Sequence, residues 1–227
     1  VLFFLFAVSV SSGCFRKNES DVKSVVRNEL DQLKNLDSET TQKYIPYTEL
    51  FPDATENTDL TDEINKTFSL FFRKFNYKIS DVIVGTTNHS ATVSVKLTTI
   101  DSKVLASDFK AELLRTQITE SAQAQKGNIK DSSRSLEAHY LILNHLLNTN
   151  DYDTAETDCN IQLVNTGNDK KEKWKIQRTN SLEDDLVGGL MTYLSDSDLM
   201  TPEKTLTVYL DTLKTMDSKQ MGNYLGL

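Results

Sequence analysis

Several residue types that often define the class of a protein are scarce in this chain. Two cysteines among 227 residues, Cys14 and Cys159, cannot form the disulfide framework that stabilises many small secreted domains. Eight glycines and three prolines are few for the many tight turns of an all-β sandwich. An all-β sandwich is therefore disfavoured. Cys159 lies on the inward face of a predicted strand, where we expect it to behave as a small buried hydrophobe.

Basic charge is scarce relative to acidic charge. The chain has 25 Lys and Arg against 33 Asp and Glu, which gives a formal net charge of −8 and a pI near 5.0. Nucleic-acid binding requires a basic surface that displaces counterions from phosphates, and no such cluster is present in the sequence. We therefore expect no nucleic-acid partner.

Sequence motifs for cofactors, metals and covalent catalysis are missing as well. There is no Gly-rich phosphate loop, nucleophile elbow or zinc motif, and Gly188-Gly189 is interpreted as a close-packing point inside a helix. His89 falls in a predicted loop, while His139 and His145 are six residues apart, about 240° around a helix. We therefore predict solvated or capping histidines, no metal, no cofactor and no identifiable catalytic residue.

The N-terminal stretch "VLFFLFAVSVSSGC" is the most informative part of the sequence. Residues 1–10 are apolar except for Ser9, and small residues follow. Ten apolar residues are too few to span a bilayer, which needs about 20, but they fit the h-region of a secretory signal. We predict that residues 1–13 belong to a signal peptide, incomplete here because its initiating Met and basic n-region are missing.

The tetrad Ser11-Ser12-Gly13-Cys14 resembles the lipobox of bacterial lipoproteins, although the first position is Ser11 instead of the usual Leu. The resemblance implies that Cys14 carries a diacylglycerol and that residues 14–20 form a lipidated tether. The domain would then be exported and anchored to the outer face of the bacterial cell membrane, since two acyl chains suffice for stable anchoring. Two alternatives stay open: a signal cleaved without lipidation, and a plain apolar tail that leaves Cys14 free.

Apolar periodicity predicts helices at the start of the domain. Spacings of three and four residues from Ser20 predict a first helix, and a short second helix begins at Asp37 or Ser38 and ends before Pro46. A third helix begins near Thr61 and is rich in aromatic residues. Its apolar face carries Ile64, Phe68, Phe71, Phe72 and Phe75.

Further along the chain the period changes to two, which predicts strands. The predicted strands cover 77–85, 91–100, 154–164 and 173–179. Two helices over 102–149 separate the two strand pairs, and a last helix follows over 182–194. Because helices gather in runs and strands pair with near neighbours, the pattern predicts an α+β fold with a mainly antiparallel sheet.

The stretch "LDQLKNLDS", the aromatic helix, the hairpin with "YKI" and "VSVKL", and the strand "KWKI" form a combination that is similar to Gram-positive exported lipoproteins. Those lipoproteins belong to the cystatin-like α+β superfamily of nuclear transport factor two, ketosteroid isomerase and scytalone dehydratase. The resemblance implies that residues 21–195 form a cone, in which a curved, mainly antiparallel sheet wraps around helices. The helical pair at 102–149 would be an insertion into this cone.

Because no position matches the catalytic motifs of that superfamily's enzymes, we predict a non-catalytic binding or interaction module. The mouth of the cone would hold a small apolar ligand, or its outer face would meet another envelope protein. The residues expected to line the ligand pocket, each also suited to the core, are Tyr44, Tyr47, Phe72, Tyr77 and Trp174. The alternative is an enzyme of the isomerase or dehydratase kind, which would need an Asp with a raised pKa beside a Tyr in an apolar cavity.

One nine-residue pattern occurs twice. The stretches "LDQLKNLDS" (30–38) and "LDTLKTMDS" (210–218) are identical at six of nine positions, and apolar positions match at the same offset of 180 residues on both sides. A repeat of this length indicates duplication of a whole domain. We therefore expect residues 196–201 to be a linker and 202–227 to be the opening helices of a second, truncated repeat that either packs poorly or borrows a surface.

Overall fold

A computed structural model of the protein describes residues 12–45, 47–52, 54–55, 60–87, 89–123, 132–167 and 173–226. Within these ranges the chain forms nine α-helices and four strands. The helices are α1 (Ser12–Lys34), α2 (Ser38–Tyr44), α3 (Thr61–Phe71), α4 (Ser102–Gln123), α5 (Leu136–Thr149), α6 (Asn180–Leu186), α7 (Leu190–Ser195), α8 (Pro202–Lys214) and α9 (Ser218–Leu225). The strands are β1 (Asn76–Val84), β2 (Ser90–Ile100), β3 (Thr154–Asn165) and β4 (Trp174–Ile176).

The strands form one antiparallel sheet in the order β1-β2-β3-β4. The central pair is in register over its whole length, with Val93 opposite Ile161 and Val95 opposite Cys159. The chain leaves the sheet between β2 and β3 to form α4 and α5, where the periodicity predicts two helices. The predicted α+β class with an antiparallel sheet is therefore confirmed.

One face of the sheet carries the core. On β2, the side chains predicted to point inward lie at every second position from Ala91 to Leu97, and all of them are buried. The buried surface continues on β3 through Cys159, Ile161 and Leu163. Helix α1 lies against this sheet through apolar residues spaced three and four apart. The buried residues of α1 are Val22, Val26, Leu30 and Leu33.

Helix α1 begins at Ser12, eight residues before the predicted start at Ser20. The predicted tether 14–20 is therefore helical. No glycine or proline occurs between Gly13 and Lys34, so no strong helix-breaking residue interrupts the helix between these points. The predicted signal segment lies outside the described residues apart from Ser12 and Gly13.

The predicted last helix over 182–194 is broken in two. Gly188 and Gly189 adopt positive φ angles of 62° and 80° and separate α6 from α7. A Cβ atom at Gly188 would collide with Thr99 Oγ1 on β2, so the turn packs directly on the sheet. The interpretation of this glycine pair as a close-packing point is confirmed, but its place inside a continuous helix is wrong.

Candidate functional site

A cavity of about 570 Å³ lies between α4, α5, the α6–α7 pair and the segment that follows α2. Most of its described lining is apolar. The lining residues are Glu49, Leu50, Phe51, Pro52, Ala54, Phe109, Lys110, Leu113, His139, Asn180, Asp184, Met191, Thr192, Leu194 and Ser195. The two helices that the sequence places between the strand pairs therefore supply one side of this cavity.

Aromatic stacking builds the cavity wall. Phe51 follows the 3-10 turn Tyr47–Leu50, and its ring stacks on Phe109 of α4 with the centroids 5.1 Å apart. Tyr140 of α5 meets Phe51 edge-on at 5.6 Å, and its hydroxyl donates a 2.9 Å hydrogen bond to the carbonyl of Tyr47. This bond ties the 3-10 turn to α5, so both sides of the wall are fixed by packed aromatic rings.

His139 lies within this aromatic wall. Its imidazole ring is 4.7 Å from the ring of Phe51 and 5.5 Å from that of Phe109, measured between centroids. Burial lowers the pKa of His139, and a hydrogen bond to the backbone of Ser133 opposes part of that effect. The imidazole is therefore neutral at pH 7.

The Nδ1 atom of His139 is buried and has no hydrogen-bond partner among the described residues. A neutral imidazole that donates from one nitrogen keeps an acceptor lone pair on the other. A buried polar atom left without a partner costs about 1–3 kcal/mol. This atom is therefore an unpaired acceptor enclosed within the wall, and it does not face the open part of the cavity.

The prediction of solvated or capping histidines is wrong for His139 and confirmed for His89 and His145, which are exposed. Leu136, Tyr140 and Leu143 lie three or four residues from His139 or from one another, and all three are buried. This spacing puts His139 on the apolar face of α5, a pattern already visible in the sequence.

A group of charged residues lies at one edge of the cavity. Glu183 is only 3% exposed and accepts a hydrogen bond from Arg178 Nε, while Arg178 also lies 3.9 Å from the carboxylate of Glu49. Partial burial and the neighbouring Glu183 raise the pKa of Glu49, and Arg178 opposes this shift. The single guanidinium therefore holds two carboxylates close together.

Lys110 and Asp184 also line the cavity, but other contacts already occupy them. Lys110 Nζ donates to the carbonyl of Asp196, and burial lowers its pKa. Asp184 accepts from the backbone N–H of Met191 at 2.9 Å and of Thr192 at 3.3 Å. Asp184 therefore stabilises the first turn of α7.

The five predicted pocket residues are not among the described residues that line this cavity. Tyr44, Phe72 and Trp174 are buried in the core, at 2%, 1% and 6% exposure. Tyr47 is exposed. Tyr77 is half-buried and donates a 2.6 Å hydrogen bond to Asp31 beside a shallow polar groove of about 300 Å³.

No group of three or more His, Cys, Asp or Glu side chains in the described part of the chain is arranged to hold a metal ion. Nor does any described helix combine the length and apolar composition that crossing a membrane requires.

The chain was also compared with known proteins. No protein-family model matches the sequence, and neither curated proteins nor solved structures give a significant match.

Proposed function

We propose that the protein is an exported lipoprotein whose domain binds a small, mostly apolar molecule without transforming it. The observation that supports this proposal most directly is the cavity beside His139. Its volume of about 570 Å³ falls within the range of small-molecule sites, roughly 300–1,000 Å³. Such sites combine apolar walls with a few polar groups that orient the ligand, which is the composition found here.

The chemistry of the wall indicates the kind of ligand. Phe51, Phe109 and Leu113 offer a flat apolar surface to a ring or a branched hydrocarbon. Asn180, Thr192 and Ser195 line the same cavity and offer side-chain amide and hydroxyl groups to a polar atom of that ligand. We therefore expect an uncharged, mostly apolar molecule with at least one polar group that can form a hydrogen bond.

The membrane anchor is part of the same proposal and rests on the sequence. The order of apolar stretch, small residues and Cys14 fits a lipidated N-terminus. Because the helix α1 contains Cys14, the anchor would pass directly into the domain and hold it close to the outer face of the membrane. A partner in the cell envelope would then be met at short range.

The cone form of the fold is proposed on two observations. Strand β1 changes register against β2 between Ile79 and Asp81, and an irregularity of this kind bends a strand. Helix α1 contacts β1, β2 and β4, which a sheet wrapped around that helix would allow.

An isomerase or dehydratase on the same fold is the alternative. It would require an acidic residue of raised pKa beside a tyrosine in the cavity. Asp185 does have a pKa raised by burial, but its hydrogen-bond partner is Cys159, and it is not among the described lining residues. The binding function is therefore the better supported of the two.

Native mass spectrometry of the protein purified from its own host tests the proposal. We expect a retained molecule that the Leu113→Trp variant loses, because the larger ring fills the cavity. Val104→Trp is the matched control on the same helix, since Val104 is 46% exposed, and it should retain the molecule. Equal retention by both variants, or no added mass in the unmodified protein, would contradict a ligand in this cavity.

A further inference from the structure

Two segments of the chain, 20–45 and 200–225, share a sequence pattern at a constant offset of 180 residues. We call them the opening segment and the closing segment. Seven residues are identical at this offset. The identical pairs are Leu30 and Leu210, Asp31 and Asp211, Leu33 and Leu213, Lys34 and Lys214, Asp37 and Asp217, Ser38 and Ser218, and Tyr44 and Tyr224.

The two segments also share their local structure. Helix α1 ends at Lys34 and α8 at Lys214, while α2 begins at Ser38 and α9 at Ser218, so the helix boundaries keep the same offset. In both segments the aspartate before the second helix caps it. The carboxylates of Asp37 and Asp217 each accept a 2.8 Å hydrogen bond from the backbone N–H three residues later.

The turns between the helices of the two segments share one backbone hydrogen bond. The N–H of Leu36 donates to the carbonyl of Leu33 at 3.1 Å, and the N–H of Met216 donates to that of Leu213 at the same distance. The two turns differ in other respects. Leu36 has a positive φ of 62°, and the N–H of Asp37 donates to the carbonyl of Gln32, whereas the N–H of Asp217 donates to the side chain of Gln220.

The apolar residues of the two segments differ in burial. In the opening segment Val26, Leu30 and Ile45 are at most 2% exposed, because the sheet and the core cover them. Their counterparts in the closing segment are 46–57% exposed. Those counterparts are Leu206 (57%), Leu210 (46%) and Leu225 (57%).

Helix α8 packs instead through its opposite face. Both α8 and α9 contact α4, and the buried residues of α8 are Val208 and Thr212. The counterparts of these two residues in the opening segment, Asn28 and Gln32, are exposed. The closing segment therefore borrows a surface of the first domain and leaves its own core-type face uncovered.

We infer that the closing segment begins a second copy of this domain. Its exposed leucines would then pack against a second antiparallel sheet, encoded after residue 227. In the opening segment the corresponding face is covered by β1, β2 and β4. A second copy of the 227-residue chain does not fit this role, since its sheet is already covered by its own α1. Helix α8 would then connect the copies, with one face on α4 and the other under the new sheet. This inference does not depend on the ligand of the cavity.

Thiol labelling tests the inference in two lengths of the protein. In a Cys14→Ser background, Leu206→Cys is placed in the 227-residue chain and in the chain extended to the natural stop codon. We expect maleimide to react at least about tenfold more slowly in the extended chain, since a buried thiol reacts only when its surroundings open. The native Cys159 is buried and gives the baseline of slow reaction.

Thr207→Cys is the matched control, because its counterpart Arg27 is exposed in the opening segment. Its reaction rate should be equal in both lengths. A stop codon directly after residue 227, or equal rates for Leu206→Cys in both lengths, would overturn the inference. A slower maleimide reaction of Leu206→Cys at higher concentrations of the 227-residue chain would also overturn the inference. A second molecule of the same chain would then be what covers the exposed leucines.

Discussion

Ser102 Oγ donates a 2.7 Å hydrogen bond to the carbonyl of Val187 and so joins the first residue of α4 to the turn between α6 and α7. The two ends of this bond are 85 residues apart in the sequence, and α4 and the helices on either side of the turn line the cavity beside His139. Both groups are buried, so the bond is protected from water. The position of α7 over the cavity thus depends on how the turn after Val187 packs against the start of α4.

The turn at Gly188 should tolerate no side chain. Gly188→Ala places a Cβ against Thr99 Oγ1 and forces a positive φ on alanine, so we expect a loss of about 2–4 kcal/mol in the free energy of unfolding. Gly222→Ala is the control: it lies in α9, and beyond its chain neighbours and the backbone of its own helix no described atom lies within 4 Å of the added Cβ. That variant should be unchanged or more stable by about 0.5–1 kcal/mol, since alanine favours helix more than glycine does. Urea unfolding measures both, and equal stabilities would show that the turn is not packed as described.

Trp174 should act as a core residue of the sheet. It is 6% exposed on β4, and truncation of a buried tryptophan to alanine costs about 3–5 kcal/mol. Ile83→Ala on the outer edge of β1, where the side chain is 60% exposed, should change the free energy of unfolding by less than about 0.5 kcal/mol. A melting temperature of Trp174→Ala equal to that of the unmodified protein would disprove the packing of β4.

Acid should weaken the domain through His139. Burial lowers its pKa below the ordinary value of 6.5, so the unfolded chain binds a proton at a pH where the folded protein does not. The free energy of unfolding therefore falls as the pH drops below about 6.5 and continues to fall down to the lowered pKa.

Replacement of the histidine isolates this contribution. His139→Leu should lose less stability than the unmodified protein between pH 7.5 and pH 5, while His145→Leu, at an exposed position, should follow the unmodified protein. Urea unfolding at the two pH values gives the difference. If His139→Leu and His145→Leu show the same pH dependence, His139 is not held neutral by burial.

The proposed anchor at Cys14 predicts where the protein is found after export. In cells that express the full gene, Cys14→Ala should appear in the medium, because the acyl chains that hold the domain at the membrane cannot be attached. Cys159→Ala is the matched control, since that thiol is buried in the sheet and takes no part in anchoring. Membrane retention of Cys14→Ala at the level of the unmodified protein would refute lipidation at this residue.

The sheet could be predicted from the sequence because its pattern is local. Alternation along β2 and β3 already separates Val93 and Ile161 from their polar neighbours, and the structure buries both residues. The break between α6 and α7 could not be predicted in this way. It depends on contact between Gly188 and Thr99, which are distant in sequence, and the stretch "LEDDLVGGLMTYL" on its own has a continuous helical period.

The candidate site, like the fold, can be predicted from the sequence only where its pattern is local. The spacing of the apolar residues around His139 already indicates that it lies on the apolar face of α5. Its contacts with Phe51 and Phe109 come from two other elements, and no short-range pattern indicates that they meet. An aromatic residue such as Trp174 suits the core as well as a binding site, so its type alone does not distinguish the two.

The two edge strands of the sheet have a consequence for solubility. A long, regular edge strand exposes unpaired backbone groups and invites pairing with other chains. Here β4 is only three residues long, and β1 changes register between Ile79 and Asp81, with Lys78 next to the irregularity. Both edges are therefore poor templates for strand addition, which lowers the tendency of the protein to aggregate when many molecules are crowded on one surface.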